Sequence, residues 1–336
     1  MRSLLARFAP DPYIMALLGT VAFASVLPAH GEGAHVVGLV TNVAIGLLFF
    51  LYGTRLAPSA ALEGLRHWRL HSFVLAATFL AFPAIALLLR LLMPSLLTPG
   101  LWTGLIFLSV LPSTVQSSIA FTSIAGGNVP AALCAASASN LIGIVITPLL
   151  AALLLTTQGH GFQAGAVGDI VVQLLLPFAA GQLLRPWIGG WIASHKRMLG
   201  FVDRGSILLV VYTAFSEGVT QGIWHQLDLE QLGALVLVNV LLLAIVLTGT
   251  RLLSRALGFS RPDEITIVFC GSKKSLASGL PMASILFAGQ SVGLIVLPLM
   301  LFHQIQLIAC AVLAKRYAAA NSPTAALTGS EATARG

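Results

Sequence analysis

Apolar runs of about 20 residues, the length a helix needs to cross the hydrocarbon core of a bilayer, recur along nearly the whole of this chain. Ten can be drawn, at 11–29, 35–54, 71–93, 101–125, 129–156, 166–186, 205–223, 231–254, 264–289 and 291–314. Backbone inside lipid must satisfy its own hydrogen bonds, so such runs with short connections fold as a helix bundle. Composition excludes a large soluble globule. Of 336 residues 57% are hydrophobic and 9% charged, with a mean hydropathy of +0.94, against about 25% charged in an ordinary soluble domain.

The 18 Lys and Arg residues test this division. With the N-terminus in the cytoplasm, fifteen fall in inner segments, Arg90 falls outside, and Lys273 and Lys274 fall within a span. The acidic "HQLDLEQ" at 225–231 is also outside. An excess of inner positive charge is what orients membrane proteins. It places a single multi-pass domain, 1–336, in the cell's inner (plasma) membrane with both termini cytoplasmic. Because the basic residues fill gaps between apolar runs, the net charge of +7 and pI near 9.8 do not signal a nucleic-acid partner. Cys134, Cys270 and Cys310 lie inside apolar runs without metal-ligand or disulfide spacing, and read as packing residues. The N-terminal "MRSLLARFAPDPYIMALLGTVAFASVLPAHG" reads as an uncleaved first span, because Asp11 and a long apolar run follow its arginines. The tail at 317–336 has the composition of a disordered end.

Two spans depart from uniform apolarity. The fourth carries Pro112, Ser113, Thr114, Gln116, Ser117 and Ser118 at its middle, and the ninth carries Gly271, Ser272, Lys273, Lys274 and Ser275. Each patch opens with a helix breaker. "LLFFLYGTRL" (47–56) in the second span is similar to "ILLVVYTAFS" (207–216) in the seventh. Five spans followed by five, with matching interruptions, predict two inverted repeats, an arrangement that in transporters puts the binding site where the broken helices meet. Pro83, Pro148, Pro177 and Pro298 read as simple kinks.

A lysine at the centre of a membrane helix costs about 2.5–3.5 kcal/mol on insertion scales, so a pair at that depth is functional and needs a partner or a cavity. Three roles are open to it: replacing a bound cation, carrying a coupled proton, or receiving an anionic substrate. Adjacent helical residues point about 100° apart, which divides the work: Lys273 toward the core and Lys274 toward a cavity. Ser113, Thr114, Gln116 and Ser275 join Lys274 as candidate substrate-binding residues. Glu217, the one acidic residue well inside a span, is a candidate counter-charge and coupling residue. His303, Gln304 and Gln306 put further polarity into the tenth span.

With its interrupted fourth and ninth spans, "GGNVPAALCAASASNLIGIVITPLL" (126–150), "FVDRGSILLVVYTAFSEG" (201–218) and "FCGSKKSLASGLPMA" (269–283), the chain resembles the bile acid:sodium symporter superfamily, in its branch of uncharacterised sodium-symporter-like proteins. The resemblance implies a panel (11–54 and 166–223), a core (71–156 and 231–314), broken helices crossing at the core centre, and sodium-driven uptake of an organic anion by alternating access. It puts sodium-site positions near Ser117, Ser118, Ser139, Asn140 and Gly143, and near Phe269, Cys270, Ser272 and Lys273. An acidic residue of that pattern stands here as Phe269 or Cys270, and a glutamine as Lys273. An ammonium about 4 Å from a sodium ion opposes it by roughly 4 kcal/mol at an effective dielectric of 20, so of the two sites only the one at Ser117, Ser118 and Ser139 is expected to hold the metal.

The reading is an all-α integral membrane protein of ten spans in two inverted five-helix repeats, transporting a small, amphipathic organic anion with sodium or a proton as coupling ion. Apart from sodium it needs no cofactor, and its partners are the anion and membrane lipid. The alternatives are a membrane regulator of ion or lipid handling, and an integral-membrane enzyme. The spans offer the latter no HExxH motif, paired carboxylates or histidine cluster.

Overall fold

The structure is a computed structural model that describes residues 12–55, 67–156, 171–220, 222 and 227–320. The first residues of the N-terminal segment, Arg66, and the 321–336 part of the expected tail lie outside the described residues, as do the termini whose sidedness the charges predict. Among the described residues all regular structure is helical.

The helices are α1 (Pro12–Val26), α2 (Gly31–Arg55), α3 (Trp68–Leu92), α4 (Pro99–Ser109), α5 (Val115–Ile124), α6 (Val129–Thr156), α7 (Leu176–Ser194), α8 (Lys196–Thr220), α9 (Leu229–Ala256), α10 (Arg261–Gly271), α11 (Leu276–Leu286) and α12 (Val292–Ala320). Six of the described helices, α2, α3, α6, α8, α9 and α12, are long and apolar enough to cross a membrane. Local chemistry sets several starts. Thr98 and Ser260 cap α4 and α10 through their hydroxyls, and Pro99 and Pro262 occupy first-turn positions where no N–H is needed. The segment between the sixth and seventh spans is largely helical, because hydropathy marks where lipid ends and not where a helix ends. One expectation is corrected: α12 runs on to Ala320, so 317–320 are ordered, and Tyr317 is buried and donates to Glu264 Oε1 at 3.1 Å.

The chain divides into two compact units. The first gathers α1, α2, α7, α8 and Leu280–Val296. Within it α2 and α7 touch backbone to backbone. A Cβ added at Gly53 would lie 2.1 Å from the Phe178 carbonyl oxygen, and one added at Gly181 would lie 2.1 Å from that of Phe50. Small residues at such contacts are how membrane helices approach closely. Thr41 and Thr213 join α2 to α8 by a 2.7 Å hydroxyl pair, and Arg55 forms an ion pair with Asp203.

The second unit holds α3 to α6, α9, α10 and most of α12. Leu70 and Val74 of α3, Ala131, Ala132 and Ala135 of α6, and Ile267 and Cys270 of α10 form one apolar cluster. Asn128, after the turn at Gly126 (φ 74°), caps α6 through Ala131 N and ties it to α10. Its backbone N–H reaches Thr266 Oγ1 at 3.0 Å and its amide reaches Asp263 at 2.9 Å.

Candidate functional site

Both polar patches read from the sequence are real interruptions. Helix α4 stops at Ser109 and α5 starts at Val115; α10 stops at Gly271 and α11 starts at Leu276. Each interruption strips neighbouring carbonyls and N–H groups of their helical partners, and at membrane depth those groups must be satisfied elsewhere. The two interruptions satisfy each other. Ser275 N donates to Pro112 O at 2.9 Å, Ser113 Oγ to Cys270 O at 2.6 Å, Ser118 Oγ to Phe269 O at 3.1 Å, and Thr114 Oγ1 to Lys274 O at 2.8 Å.

Side chains of the helices that follow complete the pattern. In α6, Ser139 Oγ accepts from Ser113 N at 3.0 Å, and Asn140 donates to Ser113 O at 2.5 Å. In α12, Gln306 accepts from Lys274 N and donates to Lys274 O, both at 2.9 Å, while its amide also meets His303 Nδ1. Asn140 Oδ1 accepts from Ser278 Oγ at 2.9 Å, and Ser278 N donates to Ser275 Oγ. Glycine permits the closeness: a Cβ at Gly143 would meet Pro112 at 2.8 Å, and one at Gly279 would meet Leu111 at 2.5 Å.

Lys273 and Lys274 lie inside this knot, both 0% exposed. Lys274 was expected to face a cavity. It is instead enclosed, and its Nζ donates to Thr78 O (2.7 Å), Ser109 O (2.6 Å) and Leu111 O (2.8 Å), with the Phe82 ring 4.1 Å away. An ammonium has three donors, and all three are used. The carbonyls are free for stated reasons. Ser109 O loses its helical donor because Ser113 N turns to Ser139. Thr78 O loses its own because α3 contains a π turn, Ala77–Ala81, that sends Phe82 N to Ala77 O, and the next residue, Pro83, has no N–H. Pro83 is therefore more than a kink: it exposes an oxygen to Lys274.

Lys273 is the opposite case. Its Nζ is buried without a hydrogen-bond partner and sits 4.1 Å above the Phe121 ring and 5.6 Å from that of Phe269. Ser117 Oγ, one turn before Phe121 on α5, is also buried without a partner.

The remaining expected residues are placed as follows. Ser113, Thr114, Ser275, Ser118, Ser139 and Asn140 come together in the crossing. Ser272 Oγ bonds back to Val268 O at 2.6 Å. Gln116 is exposed and stands apart. Glu217 lies half-buried in α8, within the first unit. Gln306 and Pro83 are the residues whose importance the sequence reading underrated. Their signals were an amide in an apolar span and a proline five residues after a threonine.

The sequence pattern of the SBF-like CPA transporter family matches residues 11–319. The chain belongs to that family. It is 55% identical over 95% of its length to an uncharacterised protein of Pseudomonas aeruginosa, covering 96% of that protein. It is 51% identical over 91% of its length to YfeH, a provisionally named symporter of Escherichia coli, covering 92% of it. Sodium/bile acid cotransporter 7-B of Xenopus laevis is 30% identical over 92% of both chains. Membership makes this a multi-pass membrane protein of transporter type, with a small-molecule substrate and no enzymatic role implied.

Proposed function

We propose that the protein is a secondary active transporter of a small, amphipathic organic anion, working by alternating access and coupled to a proton carried on Lys273. In this reading the second unit is the core, and the ten expected spans form two inverted repeats. The like treatment of the two interruptions supports the repeat. Residues of the following helix, Ser139 and Asn140 in one half and Gln306 in the other, bind the backbone N–H and C=O of one interruption residue, Ser113 and Lys274 respectively.

The observation that carries the proposal is the ring of three carbonyls on Lys274 Nζ. Carbonyl oxygens freed at helix interruptions are the usual donors to a transporter's sodium ion. At this point an ammonium already engages them, so these donors do not fit a sodium ion as well. Lys274 would be a resident cation that holds the crossing shut in every state, leaving Lys273, whose charge lacks an acceptor, free to gain and lose a proton or meet an anion. At the serine set, Ser118 and Ser139 hydroxyls are engaged in the crossing and Ser117 alone is unpartnered, a weak set for a metal whose ligands are several oxygens.

The test uses proteoliposomes and labelled amphipathic carboxylates and sulfonates, with a proton gradient or a sodium gradient imposed. Uptake driven by protons, unaffected by replacing sodium with choline and lost in Lys273→Gln, is the expected result. Sodium-driven uptake, or sodium-dependent thermal stabilisation of the purified protein, would overturn proton coupling. No uptake of any probe under either gradient would favour the regulator.

A further inference from the structure

Within the second unit, α9 and α12 bound a surface groove of about 530 Å³ that no step of the proposed transport uses. It runs along α9 from Ala244 past Leu252, with Val312 of α12 on the facing wall; Arg251, Arg255 and Arg316 stand toward one end. We infer that this groove binds an anionic phospholipid, with one acyl chain along its apolar length and the phosphate on the arginines.

Three observations argue for that occupant. First, the groove is two-natured in the way a lipid is. Between Ala244 and Arg255 it runs roughly 16 Å at 1.5 Å per residue, about half the ~30 Å hydrocarbon core. That is the depth of one leaflet, so the apolar part meets a chain while the arginines meet a head group. Leu252 and Val312 are 60% and 49% exposed on helices apolar enough to span the bilayer, so lipid reaches them.

Second, the positive charge exceeds what the protein supplies to balance it. Arg251 and Arg255 both approach the buried carboxylate of Glu264, at 3.7 and 3.0 Å, and Arg261 holds the same carboxylate at 2.9 Å. The first two do so through Nε, which leaves their Nη groups for another anion. Arg316 makes no hydrogen bond or ion pair among the described residues and is exposed, with Lys315 beside it.

Third, the residue types suit the head group. Guanidinium forks bind phosphate through paired hydrogen bonds, and basic pockets between membrane helices on the cytoplasmic side, where the charge pattern puts these arginines, hold anionic head groups. Arg251 also stacks over the Tyr317 ring, 5.8 Å to its centroid, which restrains it before a ligand arrives.

The test is native mass spectrometry and thermal stability of the full-length protein in neutral detergent, titrated with phosphatidylglycerol, phosphatidylcholine or inorganic phosphate. The expected result is retained, stabilising phosphatidylglycerol, with little effect from the other two. Arg316→Gln, chosen because Arg316 is exposed and makes no hydrogen bond or ion pair among the described residues, should weaken phosphatidylglycerol binding about fivefold, the effect of one basic residue near a membrane surface. Val312→Trp, which fills the apolar length from an already exposed position, should weaken it at least as much while leaving the melting temperature without lipid unchanged. Equal binding of both phospholipids, undiminished binding in both variants, or equal stabilisation by inorganic phosphate would overturn the inference.

Discussion

Lys273 and Lys274 are neighbours in sequence and equally buried, but only Lys274 has its charge answered by hydrogen bonds. That difference predicts opposite responses to the same substitution. Lys274→Met leaves three buried carbonyls without donors at a point where water does not reach. The expected loss is about 3–5 kcal/mol, the range found when one partner of a buried charged contact is removed, seen as a large fall in melting temperature. Lys273→Met removes a desolvated charge that has only ring faces for company, and a cation over an aromatic ring recovers about 0.5–2 kcal/mol of such a cost. Its melting temperature should equal or exceed that of wild type while coupled uptake is lost. Equal destabilisation by both changes would show that Lys273 has a structural partner. Burial of the pair was legible from "GSKKS" inside an apolar run. Which lysine faced which acceptor was not, because the acceptors are backbone carbonyls on α3, at the end of α4 and in the interruption after it, more than 160 residues away in sequence for each of the three.

At the scale of elements, helix defects are placed where another helix uses the atoms they free. The π turn in α3 is the clearest case. In an ordinary helix interior, replacing proline with alanine gains about 3 kcal/mol. Pro83→Ala should gain far less or lose stability, because the new N–H at position 83 favours regular turns that reclaim the Thr78 carbonyl from Lys274. A rise of several degrees in melting temperature would mean that Thr78 contributes little. The paired glycines of α2 and α7 work the other way, through absence. Gly53→Ala or Gly181→Ala puts a methyl 2.1 Å from a backbone oxygen. The helices must separate, at a cost of about 1–3 kcal/mol or more, which a denaturation midpoint would register. Positions of the interruptions were legible from their breakers and clustered hydroxyls. Helix ends outside the apolar runs were not, because hydropathy is blind to helical turns that continue into water.

For the whole molecule, the proposed inverted repeats and ten spans make a sided prediction. Ser95, in the exposed turn between α3 and α4, should lie outside, and Arg197, at the start of α8, inside. Cys134, Cys270 and Cys310 are all buried, so native thiols give a quiet background. In intact cells a membrane-impermeant maleimide should label Ser95→Cys but not Arg197→Cys, and permeabilisation should expose the second. Labelling of both in intact cells, or of Arg197→Cys alone, would refute the topology.

By itself the sequence determined the class of solvent around the chain, the run of apolar segments, the two places where helix could not continue, and the family. All of these follow from short stretches of residues, since hydropathy, breakers and signature motifs act locally. Only the tertiary structure decided that the interruptions complete each other's hydrogen bonds, that Lys274 Nζ meets three carbonyls while Lys273 Nζ meets none, and that Gln306 and Pro83 belong to the same knot. A freed carbonyl has no identity of its own in a sequence. Its meaning depends on which distant donor the fold brings within 3 Å.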